Sequence, residues 1–254
     1  MTSPAFKAPE TITPSWSSSR LLDIVMAAAG LILLLPLLTL ISIVILLESG
    51  GPVLFAQKRL TLNGRIFVMY KFRKFRADCG TSGSPLTVAG DARMTPFGRV
   101  LCASKLDELP QLWNVLIGDM AIVGPRPESL EFADCFKDGY EKVLLFRPGL
   151  LGPAQVVFRD EAKYLPTDET ASQVYRSEIF PLKADLDLRY YMQRSLAGDL
   201  WWIVLGILAV LGWRIGTGAL QPRACSAQIV ASLPSKILTM PAKPAGSTSK
   251  GRLL

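Results

Sequence analysis

Two adjacent carboxylates, Asp107 and Glu108, lie in the stretch Leu106-Asp-Glu-Leu-Pro-Gln-Leu-Trp-Asn114. Pro110 suits the first turn of a helix, where its missing N–H costs nothing. Leu112, Val115 and Leu116 form an apolar stripe, and Gly118 is a natural stop. The spacing predicts a helix with Asp107 or Glu108 at its N-cap. A carboxylate there accepts backbone N–H bonds, feels the positive helix end and stays ionised. An ionised aspartate can attack phosphorus and form an acyl-phosphate once magnesium, arginines or helix amides neutralise the phosphate. Its neighbour could hold the magnesium. Arg126 in Gly124-Pro-Arg-Pro127 and Arg147 in Arg147-Pro-Gly149 sit on stiff turns suited to bidentate phosphate contacts. The plainer reading stays open: a capping pair before a helix, and arginines that are ordinary surface residues.

Composition narrows the chemistry. The 254 residues contain no His, so any acid, base or nucleophile is expected to be Asp, Glu, Lys or Tyr, and any metal a hard, oxygen-ligated ion. Cys79, Cys102, Cys135 and Cys225 are too scattered for a zinc knuckle or a CxxC pair. A formal charge of +7 implies an anionic partner.

The elements that must position the pair follow from the pattern around it. Residues 1–19, rich in Ser, Thr and Pro, read as a disordered leader. Ile24–Leu47 is 24 residues without a charge, long enough to cross a bilayer. Pro36 lies near its middle, so a kink is expected. On the residues alone two geometries compete, with a kinked spanning helix favoured over a re-entrant one that returns both ends to one face. Lys58, Arg59, Arg65, Lys71, Arg73, Lys74 and Arg76 follow without an intervening acid, which puts the C-terminal side of this segment in the cytoplasm. Val53–Gln57 and Ile66–Phe72 flank Asn63-Gly64, a strong hairpin signal. Asp185–Arg194 reads as a short helix. Trp201–Trp213, apolar but too short to span, reads as interfacial. Residues 221–254 read as a disordered basic tail. The expected fold is α+β and mostly helical: a membrane helix over 20–49, then a domain over 50–220 with a small β-hairpin and interfacial helices.

These motifs together resemble the bacterial sugar transferase family of monotopic phosphoglycosyl transferases. The resemblance runs through Arg20-Leu-Leu-Asp23, Gly51–Arg59, Asn63-Gly64, Met69-Tyr-Lys-Phe-Arg73, Thr95-Pro-Phe-Gly-Arg99, Leu106–Asn114, Gly118–Pro127 and Arg147-Pro-Gly149, in that order. It implies one re-entrant membrane helix broken at a proline, matched by Pro36, and so reverses the spanning preference. It implies a catalytic domain on the cytoplasmic face of the bacterial inner membrane. Asp107 would attack the β-phosphate of a UDP-sugar, releasing UMP and leaving a covalent phosphosugar. A membrane polyprenyl (undecaprenyl) phosphate would then take the phosphosugar and start surface-glycan synthesis. Glu108, with Asp107, would hold Mg2+. Arg126, Arg147, Lys58, Arg59 and Lys105 make up the expected substrate-binding set, and a homodimer is left open.

The chain departs from the family pattern at Leu35 (usually Ser), Thr61 (usually Gly), Cys102 (often Arg) and Lys105 (commonly Ser or Thr), and Leu150–Arg159 is a variant segment. Lys105 is expected to supply the charge missing at Cys102. Two other functions compete with this one. One is an inactive family member that scaffolds a glycan-assembly complex, motivated by Cys102 and Lys105. The other is a nucleic-acid binder, disfavoured because the hairpin's aromatics alternate as core residues do and are not interleaved for base stacking.

Overall fold

The computed structural model describes residues 17–79, 86–88, 90–168 and 170–211, all within the unit Met1–Ile215. The expected basic tail, Trp213 and the first sixteen residues of the expected leader lie outside the described residues.

Helix α1 (Ser17–Ser49) begins three residues inside the expected leader and runs unbroken through Pro36. Proline leaves the Ile32 carbonyl without its helical donor, and beyond it Thr39 and Ser42 donate their hydroxyls to other carbonyls four residues back, Leu35 O and Leu38 O. Over Arg20–Ser49 the helix is long and apolar enough to cross a membrane. Its midpoint, Ile32, Leu33 and Leu35, is exposed.

Both ends of α1 are bonded to the rest of the protein. At the N-terminal end, Arg20 donates to the Val115 and Leu116 carbonyls at 2.6 and 2.9 Å, and the buried Asp23 accepts from Ile122 N at 2.8 Å. At the C-terminal end, Arg73 donates to Ser49 Oγ at 2.8 Å and to Gly51 O at 2.9 Å, while Glu48 accepts from Phe97 N at 2.8 Å. Between them Ile41 and Ile45 join Phe72 and Leu101 in one buried cluster, with Leu106 and Leu109 packed against it.

The hairpin pairs β1 (Leu54–Leu60) with β2 (Ile66–Phe72) in the register Leu60↔Ile66, so β1 extends three residues beyond the expected strand. Asn63 and Gly64 both take positive φ in the connecting loop, as the Asn-Gly signal requires. Next come α2 (Pro96–Ser104), a 3-10 turn (Leu106–Glu108) and α3 (Gln111–Ile117). Gly118 ends α3 at φ 99 and takes the Asn114 and Val115 carbonyls. A parallel pair that periodicity did not suggest joins β3 (Ala121–Val123) to β4 (Gly149–Leu151); three residues are too few to show a period.

Helix α4 (Pro153–Val157) precedes α5 (Ala171–Val174), which passes through a π turn (Tyr175–Ile179) into α6 (Phe180–Tyr191). Pro181 has no N–H to give, which accounts for the widened turn before it. The helix expected over Asp185–Arg194 therefore starts five residues earlier. Helix α7 (Leu196–Val210) buries Trp202, Leu205, Gly206 and Ala209 and exposes Leu200, Trp201, Val204 and Ile207.

Candidate active site

The Asp107–Glu108 pair is not a helix cap. It occupies the 3-10 turn ahead of α3, whose N-cap position is Pro110 with no side-chain capping bond. The flanking residues explain why. Leu106 and Leu109 turn toward the cluster around Leu101, and the pair between them lines a cavity of about 620 Å³. That is within the usual size of a small-molecule site.

Asn114, fully buried, fixes α3 against the hairpin. Its Oδ1 accepts from Tyr70 N at 3.0 Å and its Nδ2 donates to Val68 O at 2.7 Å, so β2 is held beside the carboxylates. Strand alternation does the rest. Phe55, Gln57, Arg59 and Lys71 share the face that lines the cavity, as the pairing Phe55↔Lys71 shows. Lys58 falls on the opposite face and is exposed, which removes it from the site.

Lys71 Nζ donates to Glu108 Oε1 at 2.8 Å, and Arg126 Nη2 reaches the same oxygen at 3.3 Å. Burial alone would raise the Glu108 carboxyl, but the charges of Lys71, Arg126 and Lys105 outweigh it and hold it well below the usual carboxylate range. Lys71 is lowered to about 8, because desolvation outweighs the attraction of Glu108, so the pair is ionised at neutral pH. Lys74 Nζ lies 3.5 Å from Asp107 Oδ2. Asp107 is 2% exposed, and its Oδ1 has no hydrogen-bond partner among the described residues.

Farther along the cavity a second charged group continues from Arg126. Lys183 Nζ contacts Glu128 Oε1 at 3.1 Å, Glu161 Oε2 at 3.0 Å and Tyr175 Oη at 2.8 Å. Burial would raise the Glu128 carboxyl, but Lys183, Tyr175, Arg59 and Arg126 lower it. Arg59 donates to Gln57 Oε1 at 2.6 Å and to Pro127 O at 3.2 Å.

Of the expected site residues, Asp107, Glu108, Lys105, Arg126 and Arg59 line this cavity. Arg147 does not. It lies near Arg20, Asp23, Arg65 and Asp119, toward the start of α1. Lys105, in the left-handed region at φ 62 between α2 and the turn, is one of the charges that lower Glu108. Lys71 and Lys74 were visible as members of a basic run. What singles out Lys71 is the register of β2, and what singles out Lys74 is the chain leaving β2 against the start of α2; a charge count gives neither. Nothing local marks Glu128 and Lys183, 55 residues apart in sequence.

The donors bear on a metal as follows. Both cations bond Glu108 through Oε1, leaving Oε2, and Asp107 Oδ1 is unpartnered. Among the described residues no group of three or more Cys, Asp or Glu side chains is placed to cage a metal. Two free carboxylate oxygens fit an ion that takes one or two protein ligands and fills its shell with substrate phosphate and water, as magnesium does.

Comparison with known proteins agrees with the motif order. The bacterial sugar transferase family model matches residues 15–213. The chain is 39% identical over 205 residues to a UDP-glucose:undecaprenyl-phosphate glucose-1-phosphate transferase of Xanthomonas campestris pv. campestris, covering 77% of this chain and 39% of that protein. It is 45% identical over 142 residues to a protein of the same name in Caulobacter vibrioides, covering 54% and 52%. It is 41% identical over 141 residues to a UDP-N-acetylgalactosamine-undecaprenyl-phosphate N-acetylgalactosaminephosphotransferase of Aeromonas hydrophila, covering 54% and 33%. The matched segments thus span about a third to a half of these relatives' length. With the family model covering most of its described residues, the chain belongs to the bacterial sugar transferase family.

Proposed function

We propose that this protein transfers a sugar phosphate from a UDP-sugar to a membrane polyprenyl phosphate through a covalent intermediate on Asp107. The observation that carries this reading is the unequal treatment of the two carboxylates. Glu108 is clamped by Lys71 and Arg126. Asp107 keeps one oxygen near Lys74 and the other without a partner, as suits a nucleophile. Rotation about χ2 exchanges its two oxygens, so one can hold Lys74 while the other faces the cavity.

In the first step an Asp107 oxygen forms a bond to the β-phosphorus, and the bond from that phosphorus to the bridging oxygen breaks. UMP leaves with the electron pair. In the second step an oxygen of the polyprenyl phosphate attacks the same phosphorus and Asp107 departs as carboxylate, giving a polyprenyl diphosphate-sugar. Arg126 and Lys71 hold Glu108 ionised and offer positive charge to the diphosphate. Glu108 Oε2, and Asp107 before it is esterified, would hold magnesium. When bound, that ion supplies charge neutralisation on the phosphates. The relatives' printed names support glucose or N-acetylgalactosamine as the sugar and undecaprenyl phosphate as the acceptor. The scaffold alternative gains no support, since the pair retains its cations and these relatives are named as transferases. UMP release should require both magnesium and polyprenyl phosphate for repeated turnover. Asp107→Asn should abolish it, together with the phosphosugar mass on the intact protein. Wild-type turnover by that variant would end the nucleophile assignment.

The same reading places α1 as a re-entrant element with both ends on the cytoplasmic face. Its support is that Arg20 and Asp23 at one end, and Ser49 through Arg73 at the other, bond to one and the same body. A spanning helix would carry Arg20 away from α3. The exposed apolar side chains of α1, with Leu200, Trp201 and Ile207 of α7, would then meet lipid. A protease added from the periplasmic side should leave an N-terminal tag intact, and cleavage there would establish a spanning helix.

A further inference from the structure

We propose that Lys74, with Cys102 as its second contact, is the positioning residue of the Asp107 nucleophile, the place expected for Lys105. This inference rests on the transferase reading above. Among the described residues Glu108 has two cations within ion-pair distance and Asp107 has one, Lys74.

The backbone of Lys74 is fixed. Its carbonyl accepts from Thr95 N at 3.0 Å, and Phe75 bridges to Met94. Gly98, in the first turn of α2, lets that helix sit against the same carbonyl, because any Cβ there would collide with Lys74 O. Thr95 caps α2 by accepting from Gly98 N at 2.9 Å. Strand exit and helix start are thereby locked together.

The ammonium group is held more loosely. Nζ stands 3.5 Å from Asp107 Oδ2 and 3.5 Å from Cys102 Sγ, a long ion pair and a weak acceptor. A lysine in this position orients Oδ2 and leaves Oδ1 free to attack. Once Oδ1 is esterified and Asp107 loses its charge, the same ammonium has no carboxylate partner. It can then turn to the oxygens of the bound phosphoryl group a bond away. Arginine at Cys102 would deliver its charge to the same spot from α2 instead of from the segment that leaves β2.

The experiment is charge removal and relocation in the full-length protein, in membranes or detergent. UMP release is read with whichever of UDP-glucose, UDP-galactose and UDP-N-acetylgalactosamine the wild type turns over. Lys74→Met and the milder Lys74→Gln should lower kcat about 100-fold, the scale of removing one preorganised donor at a reacting centre, with KM little changed. Lys74→Arg should recover most of the loss. Adding Cys102→Arg to either neutral variant should recover at least tenfold of it. Wild-type kcat in the neutral variants, with Asp107→Asn inactive, overturns the role of Lys74 and leaves the transferase reading intact. A loss that neither Lys74→Arg nor Cys102→Arg repairs also overturns it, because the charge would then not be what matters. Full activity in Asp107→Asn overturns the transferase reading itself.

Discussion

At the scale of single residues, the site divides labour between two neighbouring carboxylates that differ only in their surroundings. Among the described residues Glu108 is held by two cations on one oxygen, while Asp107 has a single distant one. Replacing Glu108 by Gln leaves Lys71 and Arg126 without a carboxylate between them and, on the proposed function, removes one of the carboxylates offered to magnesium. The magnesium concentration for half-maximal turnover should rise by about tenfold to a hundredfold, the scale of losing a group that supports a metal site. A titration whose midpoint does not move excludes Glu108 from metal binding. The pair and Arg126 were legible in the sequence because each lies in a distinctive local string. Lys74 was not, because its importance comes from the exit of β2 meeting the start of α2. Lys58 misled for a related reason: adjacent to Arg59, it points to the other face of the strand.

At the scale of elements, α6 governs the loop that carries Arg126. Lys183 and Asp187, one turn apart on α6, reach Glu128 and Ala154 N respectively, the latter at 3.1 Å. Burial pushes Asp187 up to about 8, well above its ordinary 3.8, although its bond from Ala154 and the charge of Lys183 oppose this. The linkage has a definite sign. Between pH 4 and 8 the folded protein keeps a proton on Asp187 that the unfolded chain has lost, so this group lowers stability progressively as pH rises through that window. The limiting slope is about 1.4 kcal/mol per pH unit, and the effect levels off above the folded value. Asp187→Asn, which can still accept from Ala154, should flatten that slope in denaturant unfolding measured from pH 5 to 8.5. An unchanged slope would mean the burial of Asp187 carries no proton. The presence of α6 was legible in the sequence but not its limits, since it starts five residues before Asp185 and ends at Tyr191, three short of Arg194. Pro181 reads as a breaker, whereas here the chain absorbs it in a π turn and continues.

At the scale of the whole molecule, α1 and the part that carries the carboxylate pair are not separable pieces. Charge-free length and Pro36 marked the segment clearly. What the sequence did not display is that Arg20, Asp23, Ala27 and Ile45 are spent on contacts inside the protein, because α1 is apolar on every side and shows no polar face to read. The bonds at its two ends have a consequence for how the chain is made. Helix α1 leaves the ribosome before α3, β3 or the hairpin exists. If it enters the lipid at once, everything after it folds onto an element already seated at the bilayer. The cap that Arg20 gives to α3 and the acceptor that Asp23 gives to Ile122 then wait, unfilled, for about a hundred residues of synthesis. The bilayer surface is, on this view, the template on which the active site is assembled.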